Sequence, residues 1–305
     1  MKNDFVYALP GVIQSKDNRG SRNRLAKALR ENELVKVLPG IYALAHLAND
    51  VRALAAAATL YEPNCILTGR IAAKLQFMAD LKVDVVTASV DSAQFKIPKY
   101  AKFQFKRRKL PAELKRPWCK GFVVLPEVAV FQMAADNDFS GLCDGLRKSA
   151  VSIESLKKAE QKLKTCSRLR TSLCLEKAEG NPWSVAEVEM QDVLRGEGIN
   201  GWVGNRMIRV ADRNVAPDIA FHERKVALEI DSEEFHHNLD SFHEDRARHN
   251  LLVAEGWIVL HATPRMVRER PEEIVEQLKA ALWQRVGVTN STFQNRKSGR
   301  KMRLP

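Results

Sequence analysis

The stretch that most restricts what this chain can fold into is residues 216–231, Ala216-Pro217-Asp218-Ile219-Ala220-Phe221-His222-Glu223-Arg224-Lys225-Val226-Ala227-Leu228-Glu229-Ile230-Asp231. Two apolar, strand-like runs flank polar residues 222–225, which predicts an antiparallel hairpin closing there. Closure pairs Phe221 with Val226, Ala220 with Ala227 and Ile219 with Leu228, and it sets Asp218 opposite Glu229. Directly opposed side chains have Cβ atoms about 5 Å apart on one face of the sheet. The period of two assigns Ile219, Phe221, Val226, Leu228 and Ile230 to a core face. Asp218, Ala220, Ala227, Glu229 and Asp231 fall on the other, where small alanines are expected to leave open space beside the carboxylates.

Like charges opposed across two strands destabilise a sheet, so something must offset them. A divalent cation, Mg²⁺ or Mn²⁺, held by Asp218 and Glu229 is the expected answer, because Mg²⁺ takes one or two carboxylates together with waters and phosphate oxygens. An exposed acidic hairpin, or acids paired with nearby Arg and Lys, would pattern in the same way. Other features converge on the pair. Ser184-Val185-Ala186-Glu187 opens a helix with Glu187 and Gln191 on one face, although Ser-x-x-Glu is also a capping box. Six of the seven histidines fall in residues 222–261, including His236-His237 directly after the acidic strand. Asp245-Arg246-Ala247-Arg248-His249 lies on a helix running to Gly256; a strand at residues 257–261 and a helix from Pro271 follow.

The 305 residues are enough for about two domains. Lys plus Arg at 49 against Asp plus Glu at 37 gives a net charge of +12, which points to a polyanionic partner, most simply nucleic acid, with an acidic protein as the alternative. No stretch reaches the roughly 18 apolar residues of a membrane span, and no signal-peptide core follows Met1, so a cytoplasmic setting without membrane contact is expected. Five irregularly spaced cysteines indicate neither a disulfide framework nor a zinc clip. A short basic helix carrying Arg22, Arg24 and Lys27, then Pro39-Gly40 between two apolar runs, reads as a winged helix-turn-helix, although any small helix-plus-hairpin unit patterns alike. Helices are expected at residues 51–61, 70–75 and 152–164, and a strand at 83–87. Residues 96–120 hold ten Lys/Arg against Glu113 alone, with Lys102, Lys106, Arg107 and Arg108 around an alternating Phe103 and Phe105. Two readings stand side by side here: a Lys-protected edge strand and a phosphate-tracking surface.

The order of Glu187, Pro217-Asp218, Glu229-Ile230-Asp231, Phe235-His236, Asp245-Arg246-Ala247-Arg248 and Gly256-Trp257 resembles the very-short-patch-repair-like branch of the PD-(D/E)XK nuclease superfamily, over roughly residues 180–285. The resemblance implies a restriction-endonuclease-like fold, a mixed sheet flanked by helices, and a metal-dependent phosphodiester-cleaving site. It makes Asp218 the metal-bridging acid and Glu229 the second acid. The Ile230 carbonyl completes the metal shell, and Glu187 is an auxiliary carboxylate. Where many members carry Lys two residues after the Glu, this chain has Asp231, so water activation passes to another group. His236 is the first choice because imidazole titrates near neutral pH, with a structural or helix-capping histidine as the alternative. Arg246 and Arg248 would clamp phosphate or pair with the acids. Residues 1–165, with Gly40-Ile41-Tyr42-Ala43 and Leu67-Thr68-Gly69-Arg70, are similar to the winged-helix antitoxin of AbiE-type toxin-antitoxin systems and the domain that follows it, which implies DNA binding.

The expected fold class is therefore α/β in the α+β sense. A winged-helix-like region occupies residues 1–48, a mixed basic α/β domain 49–165, a linker 166–183, the nuclease-like domain 184–286, and a basic tail, expected to be disordered, 287–305. The expected function is Mg²⁺-dependent cleavage of double-stranded DNA, in defence against foreign DNA or in repair. The alternative is a DNA-binding regulator or antitoxin with a silent nuclease-like domain; RNA cleavage, oligomeric state and any protein partner stay open.

Overall fold

The computed structural model describes residues 7–9, 11–91, 101–164, 171–210, 213–231 and 239–285. The chain is a mixed α/β protein with eleven α-helices and several small sheets among the described residues. It divides into two compact units, Met1–Leu175 and Glu176–Pro305. None of the described helices is long and apolar enough to cross a membrane.

In the first unit, β1 (Tyr7–Leu9) and β2 (Val12–Gln14) precede a 3-10 segment at Ser15–Ser21, α1 (Arg22–Arg30), β3 (Leu34–Leu38), β4 (Ile41–Leu44) and α2 (Val51–Tyr61). The basic helix and hairpin stand where the sequence places them, but the sheet has four strands, ordered β1-β2-β4-β3, because residues 7–14 add an antiparallel pair. Helix α1 buries Leu25 and Ala28, three residues apart, and leaves Arg22, Arg24 and Lys27 exposed. Asp50 caps α2 by accepting from the Ala53 N–H at 2.7 Å. Alanine dominates α2 because the helix packs against β2, β3 and β4 as well as the strands Val86–Val90 and Gly121–Val124, and small side chains let both sheets approach.

The remaining strands are β5 (Ile66–Leu67), β6 (Val86–Val90), β7 (Phe103–Arg107), β8 (Lys115–Trp118) and β9 (Gly121–Val124), forming a mixed sheet in the order β7-β6-β5-β9-β8. Helices α3 (Arg70–Gln76), α4 (Pro126–Ala134), α5 (Ser140–Arg147) and α6 (Ile153–Lys164) complete the unit. Strand β6 starts later than the expected 83–87, since Asp84 and Val85 are exposed and the buried alternation begins at Val86. Strand β7 is an edge strand. Cys65, Cys143 and Cys174 are buried and Cys119 is exposed, none of them in a disulfide.

Helix α7 (Ser172–Glu179) forms within the stretch 166–183 that the sequence suggests as a linker. The second unit continues with α8 (Val185–Gly196), the hairpin β10 (Ile208–Val210) and β11 (Arg213–Val215), then β12 (Ile219–Phe221), β13 (Val226–Ile230), α9 (Leu239–Ala254), β14 (Ile258–Ala262), α10 (Pro264–Glu269) and α11 (Pro271–Gln284). Strand β13 is central, antiparallel to β12 and parallel to β14. One face of this sheet packs Ile219, Phe221, Val226 and Leu228 onto Met190 and Leu194 of α8 and Ile274 and Leu278 of α11. The other face differs from expectation. Ala220 and Ala227 do not line open space; they are 1% and 0% exposed beneath Leu252, Trp257, Ile208, Val210 and Val215. The alanines are small because the layer of α9 and β10–β11 sits on them. Only the end of the sheet at Asp218, Glu229 and Asp231 stays polar.

Candidate active site

The hairpin forms in the expected register: Ile219 opposes Leu228, Ala220 opposes Ala227 and Phe221 opposes Val226, closed by a 3-10 turn and Lys225 in the left-handed region at φ 50°. One further step of that register sets Asp218 against Glu229. The Ile230 N–H donates to Asp218 Oδ2 at 2.7 Å. Along β13, backbone groups turn alternately to the two neighbours. The Asp231 N–H bonds the Ala262 carbonyl on β14 at 2.9 Å, so Ile230 belongs to the set facing β12 and its carbonyl lies on the Asp218 side.

Glu229 is 5% exposed and Glu187 4%, while Asp218 is half-buried. Burial, then the Glu187 carboxylate, pushes Asp218 up to about 7, against the lowering pull of the Ile230 N–H and Arg248. Burial, then Asp218, likewise raises Glu229 to about 7, with Arg248 and His261 pulling it down. Glu187 is also raised by burial, and Glu229 adds to that rise. Three carboxyls therefore resist ionising together.

Glu187 serves the local structure as well. Ser184 Oγ caps α8 by accepting from the Glu187 N–H at 3.2 Å, and Glu187 Oε2 accepts from the Trp183 N–H at 2.9 Å. Asn205 Nδ2 donates to the same oxygen and, at 3.0 Å, to the Asn181 carbonyl. Gly204 stands beside it, and a Cβ there would collide with the Gly180 carbonyl and lie 3.3 Å from the Asp218 carbonyl. Only glycine fits that approach. Asn205 Oδ1 and Gln191 Oε1 are buried without a hydrogen-bond partner among the described residues.

Two basic groups reach the acids. Arg248, on α9, stands 3.6 Å from Glu229 Oε2. His261 is the residue sequence reasoning passed over: the parallel register of β13 and β14 sets it beside Glu229. His261 Nδ1 lies 2.8 Å from Asp231 Oδ2, and His261 Nε2 lies 3.0 Å from His249 Nδ1. With both rings neutral the chain runs one way: His249 Nδ1–H donates to His261, and His261 Nδ1–H donates to exposed Asp231. His236, His237 and the side chains of His243, Asp245 and Arg246 lie outside the described residues.

No group of three or more His, Cys, Asp or Glu side chains is arranged to hold a metal among the described residues. The donors that fit Mg²⁺ or Mn²⁺ are fewer: the Asp218 and Glu229 carboxylates and the Ile230 carbonyl, a hard-oxygen set of the kind Mg²⁺ completes with water. Their shared difficulty in ionising is what a cation would relieve.

The expected DNA-contacting residues divide by unit. In the first, Arg22, Arg24 and Lys27 are exposed on α1, with Lys27 3.7 Å from Glu31. Lys102 is engaged locally, donating to the Ala48 carbonyl at 3.1 Å and to Asn49 Oδ1. Lys106, Arg107 and Arg108 are exposed on and just after β7, while Phe103 and Phe105 point into the core. In the second, Arg248 turns to the acids. Comparison of the sequence with protein-family models and with curated proteins finds no match.

Proposed function

We propose that the chain is a metal-dependent endonuclease acting on DNA phosphodiesters in the cytoplasm, with residues 184–286 as its hydrolytic part and the basic surfaces within residues 1–165 as its DNA-holding part. The finer fold reading, a winged helix followed by a restriction-endonuclease-like domain, belongs to the same proposal. The observation that carries it is the opposition of Asp218 and buried Glu229, both pushed up to about 7 and both within electrostatic reach of buried Glu187. Carboxylates forced together in this way are a mark of functional sites, because the fold gains nothing from their mutual repulsion.

Asp218, Glu229 and the Ile230 carbonyl would hold Mg²⁺ or Mn²⁺, which supplies charge neutralisation on the phosphodiester and a more acidic water. The hairpin register keeps both acids on one face at the end of the sheet, and the Ile230 N–H fixes the Asp218 carboxylate in its rotamer. Glu187, held by the Trp183 N–H and Asn205, keeps a third carboxyl at that end to orient water. In hydrolysis the water oxygen bonds to phosphorus as the bond from phosphorus to the leaving sugar oxygen breaks. The water gives up a proton and the leaving oxygen gains one; His236 is the sequence-based choice for the acceptor. Arg248 balances charge at Glu229.

Supercoiled-plasmid nicking tests the proposal. Cleavage that needs Mg²⁺ or Mn²⁺ and is lost in Asp218→Ala and Glu229→Ala is the expected result; RNA run alongside identifies the substrate. A second reading draws on the Arg248–Glu229 pair, which already compensates part of the acidity. In that reading the protein is a DNA-binding regulator with a silent site, and salt-sensitive binding without any cleavage would mark it.

A further inference from the structure

A cavity of about 420 Å³ opens in the first unit between the polar side of β6 and β7 and the end of α4, within the usual range of about 300–1,000 Å³ for small-molecule sites. Parallel pairing sets Thr87 level with Gln104 and Ser89 level with Lys106, and all four turn to the cavity. Val86, Ala88, Phe103 and Phe105 turn the other way and are buried. Beside Thr87, Gly69 takes φ +61°, a region L side chains avoid, and donates its N–H to Gln132 Oε1 at 2.7 Å. That bond ties the loop after β5 to α4 and gives the cavity a fixed wall.

The cavity lining carries both signs of charge. Arg70 is already committed to Asp138 and, at 3.1 Å, to the Lys82 carbonyl. Lys106 and Arg108 have no ion-pair partner among the described residues, and neither do Asp84 and Asp136. Lys106 is level with Ser89, and Asp84 lies five residues earlier in the chain, a span of at most about 16 Å at the rise of a parallel strand. The lining thus offers cations and carboxylates that no ion pair occupies among the described residues. Hydroxyls and amides share the lining with them, and Val83, Val85 and Met133 add apolar wall.

We infer that this cavity binds a nucleoside phosphate. Lys106 and Arg108 take the phosphate oxygens by charge-assisted hydrogen bonds, as a phosphate monoester requires. Sugar hydroxyls and base amino groups are donors, and Asp84 and Asp136 accept from them. The flat base covers the apolar wall, which a bare sugar phosphate would leave unfilled. The inference goes beyond the nuclease reading and does not depend on it, since every residue named belongs to the first unit.

Isothermal titration calorimetry on the full chain in EDTA, where the acids at Asp218 and Glu229 hold no divalent ion, tests it. The ligands are ribonucleoside 5′-mono- and diphosphates, the matching nucleosides and inorganic phosphate. At least one nucleotide is expected to bind with Kd below about 1 mM. Lys106→Gln and Arg108→Gln each weaken that binding about tenfold, and the nucleoside and inorganic phosphate each bind about tenfold more weakly than the nucleotide. Asp218→Ala leaves binding unchanged, which separates this site from the other. Lys106 and Arg108 are exposed, so their replacement spares the core. No binding by any nucleotide, or binding indifferent to both substitutions, overturns the inference. So does inorganic phosphate binding as tightly as the nucleotide, because the nucleoside then contributes nothing.

Discussion

On and beside β7 the like charges stand in water: Lys106, Arg107 and Arg108 are exposed and their strand anchors itself through buried Phe103 and Phe105. Just before β12 and on β13 the like charges face each other largely out of water, with Glu229 5% exposed and Asp218 half-buried. Two unit charges 4 Å apart interact by about 1 kcal/mol in bulk water and by about 4 kcal/mol at the effective dielectric of a protein surface. The basic edge can therefore exist for edge protection or solubility alone. The acidic pair cannot be so cheaply explained. A fold tolerates it only with a proton or a counter-charge in place, and Arg248 at 3.6 Å supplies part of the latter. The same contrast says which substitutions should be severe and which graded.

Removing either opposed acid should break the contrast most sharply. Asp218→Ala and Glu229→Ala are expected to lower Mg²⁺-dependent plasmid nicking by about a hundredfold or more, since loss of mere outer-shell partners already costs about 10–100-fold. Lys106→Gln, on the exposed edge, should stay within about threefold of the parent. Equal losses at all three positions would sink the distinction between the two regions.

Next in size is the pH dependence of metal binding. Asp218 and Glu229 are raised to about 7 in the fold, above ordinary unfolded values of about 4. Between those limits the folded chain holds more protons than the unfolded one. Metal-free stability from these groups is thus fully present below about pH 4, falls as pH rises toward 7, and levels off beyond. A cation must displace the protons, so apparent Mg²⁺ affinity should climb about tenfold per pH unit per proton up to pH 7 and then flatten. Thermal shift against Mg²⁺ at pH 5.5, 6.5 and 8 reads this directly, and a pH-independent affinity would contradict it.

Neutralising one acid while keeping its shape sharpens the comparison further. Asp218→Asn retains an oxygen for the Ile230 N–H. At pH 8 without metal it should raise Tm by about 2–4 °C, the equivalent of roughly 1 kcal/mol of relieved repulsion. In saturating Mg²⁺ the order should reverse, because only the parent gains from the ion. A lower Tm for Asp218→Asn in metal-free buffer would mean that Arg248 already compensates the pair.

The difference between the regions also explains what could be read before the fold was known. Short-range alternation announces the hairpin register, the cap at Ser184, the Ala-rich helix α2 and the aromatic-basic alternation of β7, because each depends on residues a few positions apart. Pairings between distant segments leave no local trace. The cover over Ala220 and Ala227 comes from Leu252, Trp257 and the β10–β11 hairpin, so two buried alanines read as an opening. The His261–Glu229 neighbourhood depends on the parallel register of β13 with β14, which follows a helix and no turn signal. A strand ending in histidine after an acidic strand, joined to it by a helix, was the available clue. Residues 172–179 form a helix although their sequence shows no amphipathic period.

The smallest expected effect lies on the basic side, in the salt dependence of DNA binding. Each exposed cation that meets a phosphate releases about one counterion, so its loss changes the slope of log K against log salt by about one while altering affinity at a single salt concentration only modestly. Arg22 and Lys27 on α1 are exposed, and the Lys27–Glu31 contact at 3.7 Å is a surface pair worth well under about 1 kcal/mol, little obstacle to exchange for a phosphate. Arg22→Ala and Lys27→Ala should each flatten the slope by about one, whereas Lys102→Ala should change it less, because that ammonium is occupied by Ala48 and Asn49. Fluorescence anisotropy of a labelled duplex from 50 to 300 mM salt resolves a difference of this size. A slope untouched by Arg22→Ala and Lys27→Ala would move the DNA-holding surface off α1 and leave the β7 edge to carry it.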